Sequence, residues 1–196
     1  MARSDTRQRI LDNGALLVHA RGFVNTGIKD ILDASGVPKG SFYFYFKSKE
    51  DFGRALIDHF SAFISSFFGR YLDDRSAPPL ERLRRFFKAS RTLYEKGRFS
   101  GGCPIGNLSQ EMSDLSEPMR KKLNAAFSQM RSALRDCLIE AQRLGQVDER
   151  LDAGELAVFI LNAWEGALID MKVSRSKTPL VIFEKMIFGL FEGGHR

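Results

Sequence analysis

The chemistry of this chain is concentrated in eight consecutive residues, Lys39-Gly40-Ser41-Phe42-Tyr43-Phe44-Tyr45-Phe46. Phe42 and Phe46 stand four apart, the spacing that puts two side chains on one face of a helix. With those two rings as anchors, Lys39, Gly40, Ser41, Tyr43, Phe44 and Tyr45 fall on the other side. A small basic and aromatic surface of this kind has no evident role in contact with water alone. It suits a short helix entering a groove about 12 Å wide, where side chains meet phosphates and base edges.

The flanking sequence supplies the elements that would hold such a helix. Thr26 suits the N-cap of a preceding helix, in which Ile28, Ile31 and Leu32 recur on one face. Ser35-Gly36-Val37 breaks that run, and Pro38 suits the first turn of the next helix. Ser48 with Asp51 three residues on reads as a capping box that opens a third helix. The pattern predicts a helix-turn-helix at about residues 27–46. Upstream, residues 4–21 form a helix with Ile10, Leu11, Gly14, Leu17 and Val18 inward, and Arg3, Arg7 and Arg9 free to meet a phosphate backbone. Glycine inside a helix costs roughly 1 kcal/mol against alanine, so Gly14 points to the close approach of a neighbour. Gly22-Phe23 ends this helix and adds a ring to the small core.

The third helix runs from Ser48 to about Tyr71, with Phe52, Leu56, Phe60, Phe63, Ile64 and Phe67 in one apolar stripe. That stripe outruns a small N-terminal core, which makes this helix the lever between two domains. Residues 73–79 read as a linker. Beyond it, Leu80 to Lys96 is helical with Leu80, Leu83, Phe86, Phe87 and Leu93 inward. Pro104 opens a segment carrying Ile105, Leu108 and Met112, and Ser116 caps a long helix to about Leu144. Met119, Leu123, Phe127, Met130, Leu134, Cys137 and Leu138 line one side of that helix, and Arg120, Lys121 and Lys122 form a solvated face. Asp152 with Glu155 caps the next helix, to about Lys172, and Thr178-Pro179 opens the last, stopped by Gly193-Gly194. These last two helices are apolar around much of their circumference, so another subunit is the expected cover. The fold class expected is all-α with about nine helices. A three-helix helix-turn-helix domain at 4–64 precedes a larger helical regulatory and dimerisation domain at 65–196.

Other chemistries find little support. Hydrophobic content of 43% and charged content of 28% are ordinary for a globular protein. The net charge of +6 permits a nucleic-acid partner. Seventeen Phe stand against one Trp, and most of those rings must be core. The N-terminus has no apolar signal segment and no run reaches the ~18 residues of a membrane span, so a cytoplasmic protein with no membrane partner is expected. His19, His59 and His195 form no ligand cluster, so no metal is expected. The segment 101–106 is glycine-rich but has neither the Lys-Ser/Thr of a phosphate loop nor a preceding strand. No catalytic arrangement is legible, and neither catalysis nor a cofactor is expected.

Residues 26–52 resemble the N-terminal domain of the TetR family of bacterial transcriptional regulators. The match is carried by Thr26, Ile31, Ser35-Gly36-Val37, Lys39-Gly40-Ser41-Phe42-Tyr43, Phe46 and Ser48-Lys49-Glu50, and reaches back through Arg9-Ile10-Leu11 and Gly22-Phe23. The resemblance implies that Thr26, Lys39, Gly40, Ser41, Tyr43, Phe44, Tyr45 and Lys49 lie at or near double-stranded DNA. Tyr45 stands where a histidine is common and Leu32 where alanine is common, so base preference does not transfer. The resemblance further implies a homodimer through the last two helices and a small-molecule effector of unknown identity enclosed in the C-terminal domain; a two-fold dimer would match a palindromic operator.

Candidate residues for that effector pocket are Phe67, Phe87, Cys103, Asn107, Met112, Phe127, Met130, Asn162, Trp164 and Glu165. Asn107 and Asn162 stand out because an amide on an apolar face needs a partner. Cys103 precedes Pro104 at a helix start, where backbone N–H groups favour a reactive thiol. Its GCPIGN segment resembles a TetR subgroup in which a cysteine here senses electrophiles or oxidants. The alternative for Cys103 is a packing residue, and Cys137, in mid-stripe, reads as a small buried hydrophobe. The function expected is an effector-responsive repressor. Its rivals are a cysteine-based electrophile or redox sensor, a non-specific architectural DNA-binding protein, and an enzyme or carrier for a small apolar ligand.

Overall fold

Arg3–Arg21 (α1) buries Ile10, Leu11, Ala15 and Val18 and leaves Asp5, Arg7 and Asp12 in water. The computed structural model describes residues 3–193, the side chains of residues 3, 4, 39, 192 and 193 excepted; His195 and the side chains of Arg3 and Lys39 therefore lie outside the described residues. After α1 come Ile28–Ser35 (α2), a 3₁₀ turn Lys39–Ser41, Phe42–Tyr45 (α3) and Lys49–Leu72 (α4). Pro79–Lys96 (α5), Pro104–Met112 (α6), Glu117–Arg143 (α7), Ala153–Ser174 (α8) and Thr178–Gly193 (α9) complete an all-helical chain, with nine α-helices and no strand among the described residues.

The chain forms two compact units. One comprises residues up to Phe63 together with Pro104–Ala126; the other comprises Ile64–Cys103 and Phe127 onward. The first change of unit falls between Phe63 and Ile64, and residues 104–126 group with the helices that precede it rather than with the residues on either side of them.

In the first unit the core is a cluster of rings. Phe42, Phe46 and Phe52 meet with centroids 5.3–5.9 Å apart. Gly14 is the close approach its place in α1 suggests: a Cβ there would lie 2.5 Å from Phe52 Cζ. Residues 104–126 are fastened by polar contacts, Ser116 Oγ to Glu50 Oε1 at 2.5 Å and Lys122 Nζ to Asp58 Oδ1 at 2.5 Å.

Local signals behave with instructive exceptions. Thr26 is not the N-cap of α2. That place belongs to Gly27, and the Thr26 hydroxyl donates to Gly22 O at 2.6 Å from a fully buried position. At the start of α4, Ser48 Oγ accepts from Asp51 N–H at 3.0 Å as expected, but the Asp51 carboxylate reaches Lys47 N–H instead of Ser48. Ser116 and Asp152 cap α7 and α8 by accepting from Met119 N–H and Glu155 N–H.

In the second unit Phe86, Phe87, Trp164, Phe183, Phe188 and Phe191 are buried. The stripe of α5 holds Leu83, Phe86 and Phe87, but Leu93 is exposed and Arg82 is buried in its place. Arg82 donates to Leu72 O and to Glu140, and Arg75 binds the same carboxylate, which fastens the 73–78 turn to α7.

Candidate nucleic-acid interface

The reading surface is built from its anchors outward. Phe42 and Phe46 are 0% and 1% exposed against Phe52, whereas Tyr43 and Phe44 are 65% and 59% exposed. Two large rings left in water beside two fully buried ones give the face that residue spacing predicted. Phe44 and Tyr45 stack edge to face at 5.0 Å, which restrains both. Ser41 and Tyr45 are half-buried, and at Gly40 an added Cβ would meet nothing within 4 Å. One difference is geometric: the expected continuous helix from Lys39 is a 3₁₀ turn followed by one turn of α-helix.

Two cations rest on rings of the same unit. Lys49 Nζ donates to Val24 O at 3.1 Å and sits 4.9 Å from the centre of the Phe23 ring. An ammonium has three donors, so this contact positions the charge and leaves donors for a phosphate. Arg7 lies over Phe46 at 5.1 Å, a contact that sequence spacing across 39 residues does not announce. Asp51 is held below the usual carboxylate range, chiefly by the backbone hydrogen bond from Lys47 and then by Arg54, against the opposing effect of burial. Its charge secures the start of α4 through Lys47 N–H and Arg54. Thr26 is fully buried and its hydroxyl donates to Gly22 O, so it faces the interior of the unit.

The effector-pocket candidates divide between the units. Asn107 and Met112 belong to the first; Phe67, Phe87, Cys103, Phe127, Met130, Asn162, Trp164 and Glu165 belong to the second. Within the second unit Phe87 and Trp164 meet at 5.0 Å, and Phe183 packs on both at 4.9 and 5.1 Å. Cys103 is buried and its thiol donates to the Glu165 carboxyl, which burial pushes up and this hydrogen bond pulls down. Phe67 packs instead on Tyr71 and Phe86, while Phe127 is half-buried and Met130 buried on α7. Asn162 is exposed, so its amide needs no protein partner.

Tyr94 was missed by sequence reasoning. It lies 6.5 Å from Trp164, and its phenol is raised well above the ordinary range by burial and then by Cys103 and Glu165. Its place seven residues after Phe87, two helical turns on the same face, was the available signal. Cys137 is the inert thiol expected, donating to Pro79 O at 3.5 Å and pushed up to about 11 by burial. Among the described residues no group of three or more His, Cys, Asp or Glu is placed to hold a metal, and no helix is long and apolar enough to cross a membrane.

Comparison with known proteins agrees with this geometry. Residues 10–56 match the model of bacterial regulatory proteins of the tetR family, and residues 79–187 match the Tetracyclin repressor-like C-terminal domain. The chain is 36% identical over 188 residues to the HTH-type transcriptional repressor DhaR of Mycobacterium sp. strain GP1, covering 96% of this chain and 93% of that one. It is 30% identical to the HTH-type transcriptional repressor NemR of Escherichia coli K12, over 90% of this chain and 88% of that one. Among solved structures, a regulatory protein TetR from Rhodobacter sphaeroides superposes with a TM-score of 0.88 and 32% identity, covering 93% of this chain and 97% of that one. Matched at both its reading helices and its C-terminal half, the chain belongs to the TetR family and is a DNA-binding transcriptional regulator.

Proposed function

We propose that the protein is an effector-responsive repressor that binds a palindromic operator as a homodimer. The observation that carries this reading is the exposed Tyr43–Phe44 face of α3, seated on buried Phe42 and Phe46. In this reading Ser41 and Tyr45 meet base edges, Tyr43 and Lys49 meet the backbone, Gly40 permits close approach, and Lys39 adds charge at the start of the turn. The DNA-binding region extends over residues 4–64, and the remainder regulates and dimerises.

Dimerisation is supported by α8 and α9. Phe159, Ile169 and Val173 on α8 and Ile182, Met186 and Leu190 on α9 are large apolar side chains left in water by a single chain. Burying them against a second copy yields a two-fold dimer, whose reading helices fit half-sites a whole number of turns apart. The test is selection of bound DNA from a random pool. Enrichment of a two-fold-symmetric sequence is the expected result; a pool that stays random at every position leaves only a non-specific binder. A second reading, regulation through Cys103, is favoured by the contact of its thiol with Glu165. If alkylating Cys103 leaves operator affinity unchanged, that second reading falls.

A further inference from the structure

Of the side chains that the reading surface presents to solvent, one is both large and wholly apolar. Phe44 is 59% exposed, and unlike Tyr43 it carries no polar tip to turn toward water or phosphate. Each of these two exposed rings is braced by a neighbour. Tyr43 meets Phe42 edge to face at 5.6 Å, and Phe44 meets Tyr45 edge to face at 5.0 Å with the ring planes 89° apart. The Phe44 ring is thereby restrained while facing solvent, and it has less freedom to lose on contact with a partner.

The residues around it narrow what this ring can meet. The segment Lys39-Gly40-Ser41-Phe42-Tyr43-Phe44-Tyr45-Phe46 contains no Asn or Gln, the side chains that bond adenine in pairs, and no Arg, Asp or Glu. Lys39 is its one residue of a type that pairs with guanine. Single hydroxyls and the Phe44 ring make up the rest. Ser41 stands three residues before Phe44, which puts the two side by side in a 3₁₀ or an α turn alike. At Gly40 an added Cβ would meet nothing within 4 Å, so the backbone there is open to close approach. The base edges of a major groove present donors and acceptors, and the apolar group that projects among them is the C5-methyl of thymine. A phenyl ring set against a donor or acceptor strips it of water and returns no hydrogen bond. Set against the methyl, it removes two apolar surfaces from water together.

We infer that Phe44 reads the C5-methyl of one thymine in each half-site and so fixes a T·A pair there. This rests on the reading in which α3 enters the major groove, and it gives Phe44 a role separate from the backbone contacts of Tyr43 and Lys49. Burying one methyl against the ring is worth about fourfold in affinity, hence about fifteenfold in a dimer that reads two half-sites.

The test takes the full chain and the two-fold-symmetric sequence that it enriches from a random pool. Each thymine is exchanged in turn, in both half-sites together, for uracil, which keeps the hydrogen-bonding edge and lacks only the methyl. At one position the exchange is expected to weaken wild-type binding by about fifteenfold. At that same position a C·G pair binds weakly, and 5-methylcytosine in its place recovers about the same factor, because the methyl returns on a base with a different edge. Phe44→Ala, which removes an exposed ring and disturbs no core, is expected to bind the thymine and uracil sites alike. With 5-bromouracil at the sensitive position, irradiation joins the base to the side chain it touches, and peptide mass spectrometry is expected to find the link at Phe44. That readout needs no variant, so it decides the matter even where Phe44→Ala binds too weakly for a ratio. Thymines that all exchange for uracil without loss, a uracil effect undiminished in Phe44→Ala, or a photolink at Tyr43 or Tyr45 each overturn the inference and leave the operator reading standing. A pool that stays random at every position overturns both.

Discussion

Glu111 accepts a hydrogen bond from the Val24 backbone N–H at 3.0 Å, although the two residues are 87 apart in sequence. Through it, α6 holds the loop that joins the first helix to the helix-turn-helix. The same carboxylate sits where a Cβ at Gly22 would reach, 2.9 Å from Glu111 Oε1, and Gly22 itself has φ 86°. Gly22→Ala is therefore expected to destabilise the protein by about 1–2 kcal/mol through backbone strain. Pairing it with Glu111→Ala in a double-mutant cycle by urea denaturation should give less than additive losses. Strict additivity would mean that the carboxylate has no hold on the loop.

Gly14→Ala sets two effects against each other. Alanine gains about 1 kcal/mol of helix propensity. Its methyl would arrive 2.5 Å from Phe52 Cζ, and Phe52 is fully buried between Phe42 and Phe46, with no direction in which to yield. Overpacking of this kind costs roughly 1–3 kcal/mol, so a net loss and a lower Tm are expected. A raised Tm would show slack in the ring cluster.

Lys49→Ala is expected to weaken binding to all DNA sequences to a similar degree and to flatten the salt dependence by about one charge. Affinity titrations across a salt series measure this. Should the slope stay unchanged, the ammonium serves Val24 O and the Phe23 ring alone.

Placing a charge on the exposed apolar stripe, as in Phe159→Asp or Met186→Lys, should convert a dimer to monomer in analytical ultracentrifugation and abolish binding to a symmetric site. Both side chains are more than half exposed in one chain, 57% and 66%, so neither substitution disturbs the unit's own core. A dimer that survives both substitutions would place the interface elsewhere.

Arg82→Ala removes a cation 2% exposed from between Leu72 O and Glu140. The expected loss is about 2–3 kcal/mol, the low end for a broken buried pair because Glu140 still touches solvent. Burial pushes the Glu140 carboxyl up, but the hydrogen bonds and charges of Arg75 and Arg82 outweigh it and hold it below its usual 4.5. A depressed carboxyl contributes stability that is full above its unfolded value and fades as pH falls through the folded one. Wild type should thus lose stability below about pH 4.5. Glu140→Gln should lose less over that range in urea melts read at several pH values.

Long amphipathic segments and their caps were legible because they depend on neighbours three and four residues away. Phe42 and Phe46 announced the anchored face, and Asp152 and Ser116 announced α8 and α7, since each partner is local. What escaped was distant. Arg82 carries the sequence signature of a surface residue, and only Leu72 O and Glu140, 10 and 58 residues away, make its burial possible. Tyr94 was passed over beside Leu93, which lies outside; the two adjacent residues of one helix face different ways. Thr26 has the right residue type for a cap one position too early, because the backbone turn puts Gly27 there.

Membership of residues 104–126 in the first unit means that the chain passes between units three times, at 63/64, 103/104 and 126/127. Two of those crossings lie inside the continuous helices α4 and α7, and the third is the bond between Cys103 and Pro104. A fragment cut after residue 63 would leave Gly22, Val24, Glu50 and Asp58 without the partners that Glu111, Ser116 and Lys122 provide. Exchanging the second unit with that of another regulator is consequently a graft with three seams, and a chimera joined at a single point would carry a first unit missing part of its own scaffold.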